Sequence, residues 1–467
     1  MNSIDVCYLP AVELRDHYLS RALSPVEVTE TVLARMDRLE PTLNAFITPT
    51  PDLAMQNARE AELAYARGDA GPLAGIPTSI KDLTLTRGIR STRGSLLMKD
   101  YVPDFDPPVV ERLYSAGIVM LGKTNTPESG WKGETTNRVS GSTHNPWNHG
   151  RTPGGSSGGA SAAIAAGMGP LAQGSDGAGS IRIPSSFAGI FGLKPSFGLV
   201  PQYPASAMEL FSHVGPMTRT VADAALMLTV MAGEDVRDRL SWSSGIDYLA
   251  ALKPDVSGLR VAWSPDLGYA RLDPDVRAVT EAAVGLLRDL GCEVVDATPE
   301  MGDPWDLVDI IWSGSQAGVY GDQPAEVRDL LDPGLARLVE SGMRLSGAEF
   351  VAAHTRRASY YQSMRRFMEE FDLLLTPTLP ITAFEVGKDH PGEICGKPTT
   401  YLGWTAFAYP FNITGLPAAS VPCGFDRNGL PIGLQIVGRW RDDQSVLNAA
   451  AAFEQAAPWA GDRPPLD

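Results

Sequence analysis

The pattern of hydrophobic and polar positions predicts helices at the start of the chain and a sheet after them. Residues 10–70 carry apolar residues at helical spacing, and one helix has Ser24 as its N-cap, Pro25 at its first position and Glu27 completing a capping box. Short apolar runs bounded by glycine and proline follow in AGIPTSIKD and AGIVMLGKTN, as is typical of buried strands. We therefore expect residues 1–70 to be mainly helical.

Later segments alternate between strand and helix. LRVAWS, CEVVDA and DLLLTPT predict strands, whereas VRAVTEAAVGLLRDLG and YYQSMRRFMEEF predict helices. In AASVPCGFDRNGLPIGLQIVGR, two apolar runs flank residues 426–429, a hairpin signal that makes the sheet mixed rather than purely parallel. We expect an α/β fold in which residues 1–467 form one large domain, with a mixed, twisted sheet covered by helices on both faces.

Composition and charge narrow the classes of function. The 467 residues are 43% hydrophobic and 20% charged, which is an ordinary globular composition, and the net charge of −16 opposes nucleic-acid binding. No apolar run is long enough to predict a membrane span, and the N-terminus lacks the features of an export signal. The four cysteines have neither zinc-ligand nor disulfide spacing. We expect a cytoplasmic protein without a metal site, as a monomer or a homodimer.

Residues 154–185, GGSSGGASAAIAAGMGPLAQGSDGAGSIRIPS, are rich in serine and small residues. A glycine- and serine-rich stretch of this kind is by itself typical of a flexible turn. A phosphate-binding loop would need a lysine followed by serine or threonine after its last glycine, and this segment has none. Just upstream, Ser129 and Lys132 fit the S-x-x-K pattern of penicillin-recognising enzymes, but the other two motifs of those enzymes do not follow.

Residues 154–158 also fit G-x-S-x-G, the nucleophile elbow of α/β-hydrolases. An elbow needs a strand directly before the serine and a histidine base further along the chain. The preceding segment, SGSTHNPWNHGRTP, predicts a loop instead. His213, His354 and His390 do follow, but none lies in a segment with other catalytic signals.

The segment as a whole resembles the signature of the amidase signature family of serine hydrolases. That signature is GGSSGG, a helix of small residues, an acidic residue, then Gly-x-Ser, a branched residue, Arg, any residue and Pro, and every position is filled here up to Pro184. AGIPTSIKD, AGIVMLGKTNTPESG and NITGLPAASVPCGFDRNGLPIGLQIVG are similar to further blocks of the family. The resemblance covers nearly the whole chain and implies the amidase signature fold and an amide hydrolase without a cofactor.

The resemblance also implies roles for three residues. Ser180 is expected to be the nucleophile, Ser156 the bridging serine and Lys81 the base. A serine hydroxyl must lose its proton as it attacks, and a lysine can accept that proton only when neutral. Burial lowers a lysine pKa from its usual value of about 10.4, and the apolar neighbours of Lys81 favour such burial.

The turn before the nucleophile is expected to bind the oxyanion through backbone N–H groups, those of Gly177, Ala178, Gly179 and Ser180. Many members of the family have glycine where this chain has Ala178, whose methyl group fits if φ is negative. The resemblance also implies a cis peptide bond before Ser156. Supporting roles are expected for Gly155, Ser157, Asp176 and Arg182.

The substrate is not marked by a motif in this family. Five aromatic residues are candidates for the pocket and favour an apolar or aromatic group on a small-molecule amide: Trp131, Trp312, Trp404, Phe407 and Tyr409. Esters, anilides and carbamates present the same carbonyl group and are expected side substrates.

Two other functions use the same scaffold. One is the glutamine-hydrolysing subunit of a tRNA-dependent amidotransferase, although those subunits usually carry glutamine where this chain has Ile183, and a tRNA-engaged partner fits poorly with the acidic charge. The other is a catalytically idle binding protein, which we would expect to lack at least one of the three catalytic residues. All three are present.

Overall fold

The structure is a computed structural model that describes residues 2–467. Its helices are Ser3–Cys7 (α1), Ala11–Leu19 (α2), Pro25–Leu43 (α3), Pro51–Arg67 (α4), Pro108–Ser115 (α5), Gly158–Ala165 (α6), Arg182–Ala188 (α7), Val221–Met231 (α8), Pro274–Asp289 (α9), Trp305–Tyr320 (α10), Ala325–Arg328 (α11), Pro333–Gly342 (α12), Gly347–Phe367 (α13), Tyr409–Thr414 (α14) and Asp443–Ala456 (α15). Two short 3₁₀ helices are Leu96–Met98 and Glu128–Gly130.

The strands are Phe46–Pro49 (β1), Pro77–Lys81 (β2), Val119–Thr124 (β3), Thr136–Asn137 (β4), Gly141–Ser142 (β5), Leu171–Asp176 (β6), Phe191–Lys194 (β7), His213–Thr218 (β8), Arg260–Trp263 (β9), Glu293–Asp296 (β10), Leu373–Pro377 (β11), Glu393–Ile394 (β12), Lys397–Pro398 (β13), Ala418–Phe425 (β14) and Pro431–Gly438 (β15). Eleven of them form one sheet in the order β1-β3-β2-β6-β8-β7-β14-β15-β11-β9-β10. Strands β3, β2 and β6 run parallel to one another, and so do β11, β9 and β10; all other neighbouring strands in this sheet are antiparallel. The predicted mixed sheet is therefore confirmed.

Apolar side chains cover both faces of this sheet. Successive residues of a strand point to opposite faces, and in β11 the side chains of Leu373 and Leu375 join one hydrophobic cluster while Leu374 joins another. The first cluster includes Val284 of α9, and the second includes Met364 of α13. Helices therefore pack on both faces, and the predicted α/β fold is confirmed.

The first 70 residues hold four helices and the short strand β1, which pairs with β3 at the edge of the sheet. The capping box of α3 is present: the Ser24 side chain accepts from the backbone of Val26 and Glu27, and the Glu27 carboxylate accepts from the Ser24 N–H. At the other end of the chain, β14 and β15 form the predicted hairpin, with Gly429 in its turn at a φ of 76°.

Helix α6 is short, and all eight of its residues are buried. Its side chains are small, so neighbouring backbone can approach it closely. A Cβ on Gly159, for example, would collide with the carbonyl oxygen of Ala45 and the backbone of Asn125. This close packing fixes the loop before α6 against the sheet.

None of the helices between residues 2 and 467 combines the length and the apolar composition that crossing a bilayer requires.

Candidate active site

The three residues predicted to be catalytic come together at one edge of the sheet. Lys81 is the last residue of β2, and Ser180 lies in the turn between β6 and α7. β2 and β6 are parallel neighbours, so their carboxyl ends meet at the same edge. Ser156 lies in the loop before α6, directly after a cis peptide bond from Gly155. The topology thus joins three residues from distant parts of the sequence.

The side chain of Lys81 is fully buried among serine hydroxyls. Its Nζ lies 2.7 Å from Ser156 Oγ, 2.8 Å from Ser157 Oγ and 3.0 Å from Ser175 Oγ. Burial lowers the pKa of Lys81 well below its usual range, and the Asp176 carboxylate opposes this only in part. A lysine whose pKa is lowered in this way gives up its proton more readily and, once neutral, can accept one.

The neighbouring carboxylate does not pair with Lys81. Asp82 Oδ2 accepts hydrogen bonds from the backbone N–H of Thr92 at 2.9 Å and from its hydroxyl at 2.6 Å. Burial raises the pKa of Asp82, and the cation that opposes this rise is Lys123, a second buried lysine on β3. Lys81 therefore lacks an adjacent carboxylate that would keep it charged.

The residues on either side of Ser156 hold the loop in place. A Cβ on Gly155 would lie 2.6 Å from the backbone nitrogen of Glu134, so this close approach requires glycine. The Ser157 hydroxyl donates to the carbonyl oxygen of Ser175 at 3.2 Å. Both contacts tie the loop to neighbouring backbone.

A buried ion pair braces the turn that carries Ser180. The Asp176 carboxylate accepts from the backbone N–H of Gly179 at 2.7 Å and from both Nε and Nη2 of Arg182 at 3.0 Å. Burial alone would raise the pKa of Asp176, but the Arg182 guanidinium holds it well below its usual range. Arg182 also donates to Asn412 Oδ1 at 2.6 Å and to Gln435 Oε1 at 2.8 Å.

The four backbone amides of this turn are not equivalent. The N–H of Gly179 is occupied by Asp176, whereas those of Gly177, Ala178 and Ser180 have no acceptor within residues 2–467. Ala178 is not among the residues with positive φ, so its methyl group fits without strain. Three amides of the expected oxyanion set thus keep an unoccupied N–H, and Gly179 supports the turn instead.

Within residues 2–467, the structural features that the other two serine motifs require are absent around Ser156 and Ser129. Residues 143–157, before and including Ser156, form a loop rather than the strand that an elbow requires. Lys132 Nζ lies 2.6 Å from Asp389 Oδ1 and pairs with that carboxylate rather than with Ser129. Among the described residues, no cluster of three or more His, Cys, Asp and Glu side chains could hold a metal ion.

The sequence model of the Amidase family matches residues 27–447. The chain belongs to the amidase family. An acylamidase from Rhodococcus erythropolis is 41% identical to it over 475 residues, which cover 99% of this chain and 98% of that protein. A glutamyl-tRNA(Gln) amidotransferase subunit from Thermosynechococcus vestitus is 36% identical, over 97% of this chain and 99% of its own.

A comparison with solved structures also finds an enzyme of this family. The crystal structure of a bacterial aryl acylamidase of the amidase signature family has a TM-score of 0.92 to this chain, with 31% identity and 97% of each chain covered. The resemblance to the amidase signature family is therefore confirmed, and the chain is an amide-hydrolysing enzyme.

A cavity of about 340 Å³ in the amidase is lined by two of the three residues predicted to be catalytic. Ser156, Ser180 and Gly177 line it, and the Ser180 hydroxyl makes no hydrogen bond in the part of the chain that the structure describes. The downstream histidines lie outside the cavity. Ser180 is thus placed where a substrate carbonyl can reach it.

Of the five aromatic residues predicted to line the pocket, only Trp312 lines this cavity. Trp131 lines a different cavity, of about 430 Å³, with Tyr401. Trp404 stacks on Phe187 and lines a third cavity, of about 220 Å³. The other two are buried in the amidase: Phe407 belongs to the cluster of α13 and α14, and Tyr409 donates to Asp303. Large aromatic residues fill cores as readily as pockets, and the sequence pattern does not separate the two.

The sequence pointed to Trp312 as a pocket candidate but not to its neighbours on the same cavity wall, Gln316 and Tyr320. Trp312, Gln316 and Tyr320 occupy one face of α10 at a spacing of four residues. The Tyr320 hydroxyl lies 2.6 Å from Ser129 Oγ, which joins α10 to the opposite wall. The i, i+4, i+8 spacing was visible in the sequence, but only the tertiary structure shows that this face borders Ser180.

Proposed function

We propose that this amidase hydrolyses small-molecule amides through an acyl-enzyme on Ser180, with Ser156 and Lys81 as its proton relay. The observation that carries the proposal is the 2.7 Å distance from the buried Nζ of Lys81 to Ser156 Oγ, beside the cavity that Ser156 and Ser180 both line. No other buried base reaches a cavity serine in the described part of the chain. The arrangement supports a serine nucleophile that needs no histidine.

The first half of the reaction transfers the acyl group to the enzyme. Ser180 Oγ attacks the carbonyl carbon while its proton passes to Ser156 and the Ser156 proton passes to neutral Lys81. When the tetrahedral intermediate collapses, the C–N bond breaks and the amine takes a proton back through the same relay. Water then attacks the ester on Ser180, again with Lys81 as base, and releases the carboxylic acid.

The oxyanion that forms in each half is bound by backbone amides. Gly177, Ala178 and Ser180 supply the unoccupied N–H groups at this turn, and the ion pair of Asp176 with Arg182 keeps the turn rigid. Donors fixed before the reaction stabilise the developing charge without reorganisation.

The substrate class follows from the relatives and the cavity. The relatives named as an acylamidase and an aryl acylamidase support amides and anilides, and esters and carbamates share the carbonyl group. The likeness to amidotransferase subunits supports a second candidate, glutamine hydrolysis with a partner. Ile183, buried in an apolar cluster where those subunits usually carry glutamine, and the net charge of −16 favour the free-standing amidase.

We expect the activity to fall at low pH because Lys81 becomes protonated. Burial lowers the pKa of Lys81, so the base is neutral above that lowered pKa and charged below it. The value of kcat/KM should therefore rise as the pH increases past this lowered pKa. The rise should occur at a pH well below the ordinary lysine pKa. A profile of kcat/KM over about pH 5 to 10 checks this, and a rise close to the ordinary lysine pKa of about 10.4 would contradict the neutral base.

The proposal is tested by mapping a fluorophosphonate adduct by mass spectrometry, because the probe bonds only to an activated serine. We expect the adduct on Ser180 of the wild-type protein and none in the Lys81→Ala variant. An adduct on Ser156 would favour the elbow mechanism instead. No adduct at all would contradict a free-standing amidase and favour a partner-dependent subunit or an idle scaffold.

A further inference from the structure

The cavity above Ser180 has a single charged residue in its wall. Arg93, in the loop that follows β2, lines the cavity, and the other lining residues are uncharged. Its side chain makes no ion pair or hydrogen bond within residues 2–467; the residue is half-buried, and its Nε is buried without a protein acceptor. By contrast, the buried guanidinium groups of Arg35, Arg182 and Arg219 all donate to protein acceptors.

A buried donor without a protein acceptor is costly unless water or a ligand in the cavity supplies the acceptor, so such donors favour ligands that carry acceptor groups. A second such donor lies in the same wall, since the indole N–H of Trp312 is also buried without a partner. No carboxylate side chain lines the cavity to compete for these donors. The cavity is therefore rich in donors and poor in charged acceptors.

The position of Arg93 is fixed by its backbone. Its carbonyl oxygen accepts from the N–H of Ser129 at 2.8 Å, and its φ is 54°. It lies where the cavity adjoins a smaller one of about 130 Å³, and both are lined by Leu83 and Ser175 as well. A substrate with its carbonyl at Ser180 can extend along this wall to the guanidinium.

We propose that Arg93 determines specificity by binding a carboxylate of the substrate, so that the preferred substrates are amides that carry a free carboxylate. This inference rests on the proposed function, because it names the substrate class of the same site. The planar guanidinium matches a carboxylate with two parallel hydrogen bonds. Since the net charge of −16 repels anions at a distance, a local cation is required for an acidic substrate to bind.

Two matched pairs of substrates test the proposal. Succinyl 4-nitroanilide and butyryl 4-nitroanilide differ by a carboxylate on the acyl side, and N-butyryl-4-aminobenzoate and butyranilide differ by one on the amine side. We expect kcat/KM to be at least about tenfold higher for the acid in one of the pairs, because hydrogen bonds between charged groups are strong. Arg93→Gln should lower that acid-to-neutral ratio by about ten- to a hundredfold, mainly through KM, and Arg93→Lys should retain part of it.

Arg87→Gln is the matched control. Arg87 lies in the same loop, is exposed, and faces Asp106 rather than the cavity, so this variant should leave the ratio unchanged. Equal rates for acid and neutral substrates in wild type, or an unchanged ratio in Arg93→Gln, would overturn the inference. So would a succinamoyl 4-nitroanilide that is hydrolysed as fast as the succinyl compound, since charge would then not be recognised.

The proposed function and the role of Arg93 fail in different ways. If Ser180 is labelled and neutral anilides are hydrolysed without a preference for acids, only the role of Arg93 is wrong. If Ser180 is not labelled and no anilide is hydrolysed, the proposed function fails and the role of Arg93 falls with it.

Discussion

Replacing Lys81 with methionine is expected to lower kcat/KM toward an anilide by about 10⁴-fold. Methionine keeps an unbranched side chain in this fully buried position, but it has no amine to accept the proton of Ser156. The oxyanion amides and the cavity remain, so some activity above that of water should persist. Steady-state kinetics with a chromogenic anilide measures the loss.

Lys123 provides a control on the adjacent strand. It is also fully buried, it donates to Thr86 Oγ1 at 2.8 Å, and burial lowers its pKa to about 8, but it does not line the cavity. Lys123→Met should affect stability and leave the folded enzyme within about tenfold of the wild-type kcat/KM. If both variants lost activity to the same extent, the effect of Lys81 would be structural rather than catalytic.

The largest loss of stability is expected for Arg182→Met. Removing the guanidinium would leave the Asp176 carboxylate buried without its cation, which costs about 3–5 kcal/mol in the free energy of unfolding. The variant also loses the donors to Asn412 and Gln435, which hold the turn to α14 and β15. Urea unfolding followed by circular dichroism measures the change.

A surface ion pair shows what a similar substitution costs without burial. Arg356 donates to Asp306 at 2.7 Å with both side chains exposed, so Arg356→Met should change stability by at most about 1 kcal/mol. The double variant Asp176→Asn with Arg182→Met should recover part of the loss, because the uncompensated charge is gone. An Arg182→Met protein with the wild-type unfolding midpoint would contradict a structural role for the pair.

Local patterns were sufficient to predict most elements. The capping box at Ser24, the hairpin at residues 426–429 and the strand that ends in Lys81 each depend on neighbouring residues, and each is present. Ser156 and Ser180 came from a long signature, which a chance match does not fill, and Lys81 came from a separate block that resembles the same family. Each of these patterns is local in sequence, although the fold is needed to bring the three residues together.

The rest depends on contacts between distant segments. Asn412 and Gln435 reach Arg182 from the far end of the chain, and no periodicity points to them. The same holds for Arg93, whose importance comes from the absence of a partner in the folded chain. Gly179 was expected to bind the oxyanion, but its N–H is taken by Asp176, a choice that only the geometry of the turn decides.

The face of α10 that carries Trp312, Gln316 and Tyr320 forms a cavity wall on a different part of the chain from the proposed chemistry. The proposed nucleophile, relay and oxyanion amides all come from residues 81–180, whereas this wall comes from one later helix. Exchanging that helix between members of the family is therefore a way to change one wall of the cavity while the proton relay and Arg93 stay as they are. Divergence among these enzymes can proceed by the same route, one helical face at a time.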